Sequence, residues 1–178
     1  MKNIMTKLAG ALTLSVGFSG ALMAQSSPTL VFVHGAHFSG NSWAKVQQEL
    51  NAKIANIAID LPGRKDKITP NRVSLELSAA ALCTSLNKIE GEKVIISHSQ
   101  GGAVTNASLD LCPTETVSKL VYVTSVAPLE GEAAFDSLSE QDGKNYFNGV
   151  VYDEASTLLK ISNDNKFEET FAPNANKT

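Results

Sequence analysis

The stretch Ser97-His98-Ser99-Gln100-Gly101-Gly102 decides the fold of this 178-residue chain. It follows the apolar run Val94-Ile95-Ile96 and precedes a helix-compatible stretch, residues 103–111. A strand, a tight turn centred on a serine and a helix are together typical of a nucleophile elbow. The turn is so tight that the residues two before and two after the serine must be small. Ser97 and Gly101 meet that requirement, although glycine is usual at the first position.

The elbow makes Ser99 the candidate nucleophile. Such a turn lifts the serine hydroxyl clear of the sheet and directs N–H groups at the start of the next helix toward a developing oxyanion. Gly101 and Gly102 complete the motif. His98 occupies its variable position, and we expect that side chain to point away from the hydroxyl.

A second motif lies upstream, where the apolar run Leu30-Val31-Phe32-Val33 is followed at once by His34-Gly35-Ala36-His37. In enzymes with a nucleophile elbow, a His-Gly turn after an early strand supplies the other oxyanion N–H. The two motifs are independent, occur in the expected order and each follow a predicted strand. Together they favour a hydrolase far more strongly than the elbow pattern alone.

Composition limits the class of protein. The chain is 43% hydrophobic and 19% charged, which is typical of a globular domain with a real core. Its formal net charge of −3 provides no basic surface for nucleic acid or an anionic membrane.

Residues 1–24 have the pattern of a secretory signal peptide. Lys2 and Lys7 precede a short apolar stretch, residues 8–22, and Ala24 ends a small-residue cleavage site. We expect cleavage after Ala24 and bacterial export to the periplasm or beyond. A membrane anchor is the alternative, but the apolar run is short for a span, so we expect no stable membrane span after cleavage.

Export changes how the two cysteines are interpreted. Cys83 and Cys112 form no metal-binding pattern, and an even pair in an oxidising compartment favours one disulfide. Two buried free thiols are the alternative.

His34 and His37 are three residues apart with no third ligand nearby, so the sequence predicts no metal site and no cofactor.

Apolar runs and helical spacings predict a β-α-β-α-β-α-β order over residues 25–128. The strands are expected at residues 29–33, 54–59, 94–97 and 120–124. A helix capped by Asn41 or Ser42 is expected to run to about Leu50, and another to span residues 73–88. This order is typical of an α/β protein with a doubly wound parallel sheet. Residues 129–178 are expected to form a lid, helical but broken by glycines over residues 130–161, with no strand.

Several segments together resemble the α/β-hydrolase superfamily, above all small esterases related to plant methylesterases and hydroxynitrile lyases. These segments are Val31-Phe32-Val33-His34-Gly35-Ala36, Trp43, Asp60-Leu61-Pro62-Gly63, the elbow and Leu120-Val121-Tyr122-Val123-Thr124. The resemblance covers residues 29–129 well and the rest weakly. It implies that Ser99 is the nucleophile, that the backbone N–H groups of Ala36 and Gln100 form the oxyanion hole, and that the substrate is a small ester.

The chain departs from this family in its histidines. The family's catalytic triad runs Ser, acid, His along the chain, but no histidine follows Ser99 here. The resemblance implies a structural role for His34. We expect His37 to line the pocket, with a role as catalytic base as the less favoured alternative. After Ser99 the lid-like segment contains four aspartates, but none comes after a predicted strand and none is assigned as the triad acid: Asp136, Asp142, Asp153 and Asp164.

We therefore expect this sequence to be the N-terminal part of a longer hydrolase. The predicted strand at residues 120–124 would otherwise be a bare apolar edge, which is an aggregation liability. Two further βα units of about 30 residues each would supply the edge, the acid and the base. A stand-alone protein is the alternative.

The leading functional hypothesis is an exported serine hydrolase acting on a small, fairly apolar ester. Candidate pocket residues in the lid are Phe135, Leu138, Tyr146 and Phe147, with simple packing of the lid as the alternative. An inactive secreted binding protein and a cyanohydrin lyase are the other functions considered, and the oligomeric state is left open. Epoxide hydrolases and dehalogenases are disfavoured, because those relatives have Asp at the elbow, where this chain has Ser99. Dinucleotide binding is disfavoured, because His34-Gly35 occupies the turn after the first strand and no GxGxxG motif follows that strand.

Overall fold

The computed structural model describes residues 27–50 and 53–170. The predicted signal peptide, residues 1–24, lies outside the described residues. Four parallel strands form one sheet: β1 (Thr29–Val33), β2 (Asn56–Ile59), β3 (Lys93–His98) and β4 (Val117–Val123). Their order is β2-β1-β3-β4. The chain therefore adds β2 on one side of β1, then crosses over and adds β3 and β4 on the other side. This confirms the predicted doubly wound parallel sheet.

Helices connect these strands. The first connection holds a 3-10 helix (Gly40–Trp43) and α1 (Ala44–Leu50), the second a 3-10 helix (Pro70–Arg72) and α2 (Leu75–Leu86), and the third α3 (Gly101–Leu109). The predicted cap at Asn41 or Ser42 is wrong. The chain enters through the 3-10 turn, and the Ser42 hydroxyl donates to the Ser39 carbonyl instead.

The core lies between the sheet and its helices. Ser74 caps α2 by accepting a hydrogen bond from the Leu77 N–H at 3.1 Å. Farther along the same helix, Leu82 and Leu86 are four residues apart and face the sheet. The buried apolar cluster of this region consists of Val31, Val33, Ile59, Leu61, Leu82, Leu86, Ile95 and Val104. Both central strands contribute to it, as expected for parallel strands covered on both faces.

A disulfide joins Cys83 of α2 to Cys112, just beyond the end of α3. The two helices pack against each other, and the Cα atoms of the two cysteines lie 5.5 Å apart. The bridge encloses a segment containing β3 and the elbow, which restricts the unfolded chain.

The segment after residue 129 contains a 3-10 helix (Ala134–Ser137), α4 (Glu140–Gly149), strands β5 (Val150–Asp153) and β6 (Leu158–Ile161), and α5 (Asp164–Thr170). The expectation of no strand here is wrong, because β5 and β6 pair as an antiparallel hairpin. The Asp153 carboxylate accepts the Ala155 N–H at 3.0 Å and forms the turn, and Thr157 follows with φ 57°. No glycine marks this turn in the sequence.

Candidate active site

The elbow lies at the carboxyl end of β3, between that strand and α3. Ser99 has φ 51°, a left-handed backbone conformation that a non-glycine residue rarely adopts. Backbone contacts explain the glycines that follow. A Cβ on Gly101 would lie 2.8 Å from the Val33 and His34 carbonyl oxygens, and one on Gly102 would lie 2.3 Å from Ser125 Oγ. The turn therefore fits against β1 and the loop after β4 only with glycine at both positions.

Ser97 occupies the small position where glycine is usual. Its side chain is buried, and its Oγ lies 2.7 Å from Thr105 Oγ1 in α3. The extra hydroxyl is therefore matched by a polar partner in the next helix, as buried polar groups require. The Ser99 carbonyl is held in turn by the Val126 N–H and the Ser125 hydroxyl, both at 2.9 Å.

The His-Gly turn after β1 lies directly beside the elbow. Val33 pairs with Ser97 in the sheet, so the segments leaving β1 and β3 start level with each other. A Cβ on Gly35 would lie 2.9 Å from Ser99 Cβ, which shows how closely the turn approaches the serine. Ala36, Ser99 and Gln100 line one cavity of about 610 Å³. The structure thus brings together the three residues that the sequence assigned to attack and oxyanion binding.

His34 is fully buried and holds the turn to the end of β2. Its Nδ1 lies 2.8 Å from the Gly35 carbonyl oxygen, and its Nε2 accepts the Leu61 N–H at 3.1 Å. This pair of contacts requires the neutral ring with the proton on Nδ1. Burial lowers the pKa of His34, which favours the same form. His34 is engaged structurally on both ring nitrogens.

His37 contacts the lid segment. Its Nε2 lies 2.8 Å from the Tyr146 hydroxyl, and its ring meets Phe167 edge to face at 5.4 Å between centroids. Burial, and next the positive charge of Arg64, lower the pKa of this imidazole. His37 lines a second cavity of about 760 Å³ that also contains Ala36 and Gln100.

His98 lines the cavity that holds Ser99 and packs on two aromatic rings. Its ring meets Phe38 at 5.7 Å and Trp43 at 6.4 Å between centroids, both edge to face. Burial lowers its pKa. His34 and His37 thus have hydrogen-bond partners other than Ser99, whereas His98 borders the cavity of Ser99 and contacts aromatic rings.

The lid segment contributes to both cavities. Phe135, Leu138 and Tyr146 line the cavity that holds Ser99, whereas Phe147 lines the larger one. A small buried cluster of Tyr146, Val150 and Phe167 packs on Phe38 of the turn after β1. The lid therefore rests on the segment that carries Ala36.

Comparison with known proteins decides the family. The model of the alpha/beta hydrolase family matches residues 30–171, most of the chain. The chain belongs to the alpha/beta hydrolase family.

Among curated proteins, this hydrolase is similar to putative methylesterase 14, chloroplastic, of Arabidopsis thaliana, with 35% identity over 118 residues. The match covers 64% of this chain and 34% of the relative, so the chain spans about a third of that protein. The predicted resemblance to the superfamily and its small esterases is confirmed.

Solved structures show the same fold. An extracellular alpha/beta hydrolase from a Paenibacillus species aligns with a TM-score of 0.60 and 16% identity, covering 82% of this chain and 74% of that one. A pyrethroid hydrolase from Sphingobium faniae aligns with a TM-score of 0.65 and 22% identity, covering 84% of this chain and 62% of that one.

Three of the four aspartates in the lid segment have local partners in this alpha/beta hydrolase. Asp142 lines the cavity of Ser99, but its Oδ2 accepts the Ser139 hydroxyl at 2.6 Å. Asp136 accepts the Ala133 N–H at 2.9 Å, and Asp153 pairs with Lys160. Asp164 begins α5.

Two further findings complete the site. Within residues 27–50 and 53–170, no cluster of three or more His, Cys, Asp or Glu has a metal-binding arrangement, and no helix is both long and apolar enough to cross a membrane. Sequence reasoning missed Arg64, which lies between β2 and the 3-10 helix Pro70–Arg72. Its side chain donates to the Phe38 carbonyl at 2.8 Å and to the Ala36 carbonyl. No local pattern signals a contact across 28 residues of sequence.

Proposed function

We propose that this protein is an exported serine hydrolase that cleaves a carboxylic ester of a small, fairly apolar molecule. The observation that carries the proposal is the left-handed conformation of Ser99 at the end of β3, in one cavity with Ala36 and Gln100. A strained backbone persists only where the surrounding structure imposes it, and such residues cluster at active sites.

The proposed chemistry is two-step acyl transfer. The Ser99 Oγ attacks the ester carbonyl carbon and gives its proton to a base, while the Ala36 and Gln100 N–H groups stabilise the oxyanion. The C–O bond to the alcohol then breaks, and the alcohol leaves with the proton. Water next attacks the acyl-serine, releases the carboxylic acid and restores the Ser99 hydroxyl. Phe135, Leu138 and Tyr146 provide the apolar wall of the cavity.

We propose that the histidine and acid of the triad lie outside the sequence given. His34 and His37 have other hydrogen-bond partners, His98 packs on Phe38 and Trp43, and the chain matches about a third of the methylesterase relative. Sequencing the encoding DNA past the codon for Thr178 tests this. We expect an open frame that shows a strand followed by Asp and later a His, whereas an immediate stop codon would contradict it.

The activity test uses the full-length gene product and a short-chain aryl ester. Ser99→Ala is expected to remove hydrolysis by several orders of magnitude, because losing the nucleophile leaves only the residual effect of binding and the oxyanion hole. Ser42→Ala is the matched control, since this exposed hydroxyl contacts only the Ser39 carbonyl in its own turn. Retained hydrolysis in Ser99→Ala would refute the proposed role.

An inactive secreted binding protein is the second candidate. The hydrogen bonds of His34 and His37 to partners other than Ser99 favour it, because a serine hydroxyl is a weak nucleophile without a neighbouring base. A fluorophosphonate probe separates the two functions. Labelling at Ser99 in the full-length product supports the hydrolase, and ligand binding without labelling or turnover supports the binding protein.

We also propose export. The pattern of residues 1–24 supports it, as does the Cys83–Cys112 bridge, because disulfides persist mainly in oxidising compartments. Expression in a bacterial host with fractionation and N-terminal sequencing is the test. We expect a periplasmic or secreted product that begins at Gln25, and an uncleaved cytoplasmic product would contradict the proposal.

A further inference from the structure

Arg64 reaches back from the segment after β2 to the turn that carries Ala36. The side chain is half-buried, and its Nε donates to the Phe38 carbonyl oxygen at 2.8 Å. Its Nη2 donates to the Ala36 carbonyl oxygen. These two nitrogens form one edge of the planar guanidinium, so a single rigid group holds two carbonyls of the same turn.

The turn contains two successive peptide planes that matter for oxyanion binding. The first joins Gly35 to Ala36 and carries the Ala36 N–H. Its carbonyl oxygen contacts His34 Nδ1 at 2.8 Å and accepts the Phe38 N–H at 3.3 Å. The second joins Ala36 to His37, and its carbonyl accepts from Arg64. Only the two backbone dihedrals of Ala36 lie between these planes, so fixing both planes fixes the direction of the Ala36 N–H.

We propose that Arg64 is a positioning residue for the oxyanion hole, an inference that rests on the proposed hydrolase function. His34 holds the plane that contains the Ala36 N–H, and the Arg64 fork holds the next one, so the donor is aimed before substrate arrives. Such preorganisation is what makes oxyanion donors effective, because no reorientation is needed as charge develops.

The surroundings of Arg64 agree with this role. Arg64, Ala36 and Gln100 line the same cavity of about 760 Å³, so the guanidinium and both proposed donors border one space. Lysine could not replace the fork, since an ammonium is a single point of contact and lacks the fixed planar edge.

The test uses steady-state hydrolysis of an aryl ester by the full-length gene product. Arg64→Met removes both donors, and we expect kcat to fall by about 10- to 100-fold, because small misplacements of a catalytic group have effects of that size. KM is expected to change by less than about threefold, since the oxyanion forms only in the transition state. Inhibition by a trifluoromethyl ketone, which forms a tetrahedral adduct with the serine, should weaken in parallel with kcat.

Arg72→Met is the matched control, because this exposed arginine ends the 3-10 helix Pro70–Arg72 and should leave kcat and the inhibition constant unchanged. Arg64→Lys retains the charge and one donor, so its kcat is expected to lie between those of the unchanged protein and Arg64→Met. This variant also provides the test if Arg64→Met fails to fold. A kcat within twofold of the control for either Arg64 variant, counted per fluorophosphonate-titrated serine, would overturn the proposal.

Two further readouts separate this proposal from the proposed function. If Ser99→Ala retains hydrolysis, both the proposed function and the Arg64 proposal are refuted. If hydrolysis depends on Ser99 but Arg64→Met keeps the full kcat, only the Arg64 proposal is refuted. Backbone relaxation of the Ala36 amide tests positioning without turnover. We expect its order parameter to fall in Arg64→Met from a rigid value of about 0.85, and an unchanged value would contradict the positioning role.

Discussion

The sheet region before residue 129 and the lid segment after it are built in different ways. The sheet region has four parallel strands over a continuous buried cluster that includes Val31 and Ile95. The lid segment has one two-stranded hairpin, and its buried cluster consists of Tyr146, Val150 and Phe167. Close packing of the elbow backbone against β1 and the loop after β4 fixes the position of Ser99. A few aromatic contacts fix the lid that closes over it.

Glycines show where each region is closely packed. In the sheet region, the turns at Gly35, Gly101 and Gly102 leave no room for a Cβ atom. In the lid segment, a Cβ on Gly149 would lie 2.7 Å from the backbone of α5, whereas one on Gly143 would meet nothing within 4 Å. The comparison teaches that close packing at the turns sets the tolerance of the site to error, whereas in the lid close packing at the α4–α5 contact leaves the first half of α4 open.

The largest effect is expected for Gly102→Ala. The new Cβ would lie 2.5 Å from the Val126 carbonyl oxygen, and moving that loop would break the bonds from Val126 and Ser125 to the Ser99 carbonyl. We expect a loss of about 3 kcal/mol in the free energy of unfolding, at the upper end for overpacking. Urea unfolding measures it. A loss below about 1 kcal/mol would show that the loop after β4 yields, and that the contrast with the lid is overstated.

A smaller effect is expected where Ser97 replaces the usual glycine. Ser97→Ala leaves the buried Thr105 hydroxyl without the partner it has at 2.7 Å, which costs about 1–3 kcal/mol. Thr105→Val should cost a similar amount for the same reason. In the double variant both hydroxyls are gone, so its loss should be well below the sum of the single losses. Additive losses in this double-mutant cycle would mean that the two hydroxyls are not coupled.

Acid should act on the sheet region through His34. Because burial lowers its pKa, the unfolded chain binds more protons than the folded chain once the pH falls below about 6.5. The free energy of unfolding should therefore decline as the pH drops from there toward the folded-state pKa, by at most about 1.4 kcal/mol per pH unit for one proton. Protonating Nε2 also removes the acceptor of the Leu61 N–H. Urea unfolding across pH should show a smaller decline in His34→Asn, and an unchanged decline would assign the effect to other groups.

The sequence predicted the sheet region well because local patterns of residue type mark its strands and turns. The bounds of β1 match the apolar run at residues 29–33, and the small residues on either side of Ser99 mark the elbow. β2 begins two residues later than expected, at Asn56, and β4 begins three residues earlier, at Val117. β2 leaves out the apolar Ile54 and Ala55, whereas β4 includes the polar Ser118 and Lys119, so residue type alone does not fix the ends of these strands.

The hairpin and the role of Arg64 could not be found in this way. β5 and β6 have four residues each, and their turn depends on the Asp153 carboxylate and a left-handed Thr157 rather than on glycine. Arg64 contacts carbonyls that any residue could present, so no residue type marks its partners. Both features arise from three-dimensional packing and have no period or motif in the chain.

The smallest effect is expected in the lid, from Gly143→Ala. This glycine lies in the first half of α4, where alanine has the higher helix propensity and its Cβ would be in open space. We expect a gain of about 0.5–1 kcal/mol in the free energy of unfolding, opposite in sign to Gly102→Ala for the same chemical change. The gain appears in global unfolding only if the lid and the sheet region unfold together. If the lid opens first, Gly143→Ala should instead slow limited proteolysis within residues 129–170 and leave the urea midpoint unchanged. A loss of stability would contradict both forms of the comparison, because it would extend the close packing at Gly149 to the first half of α4.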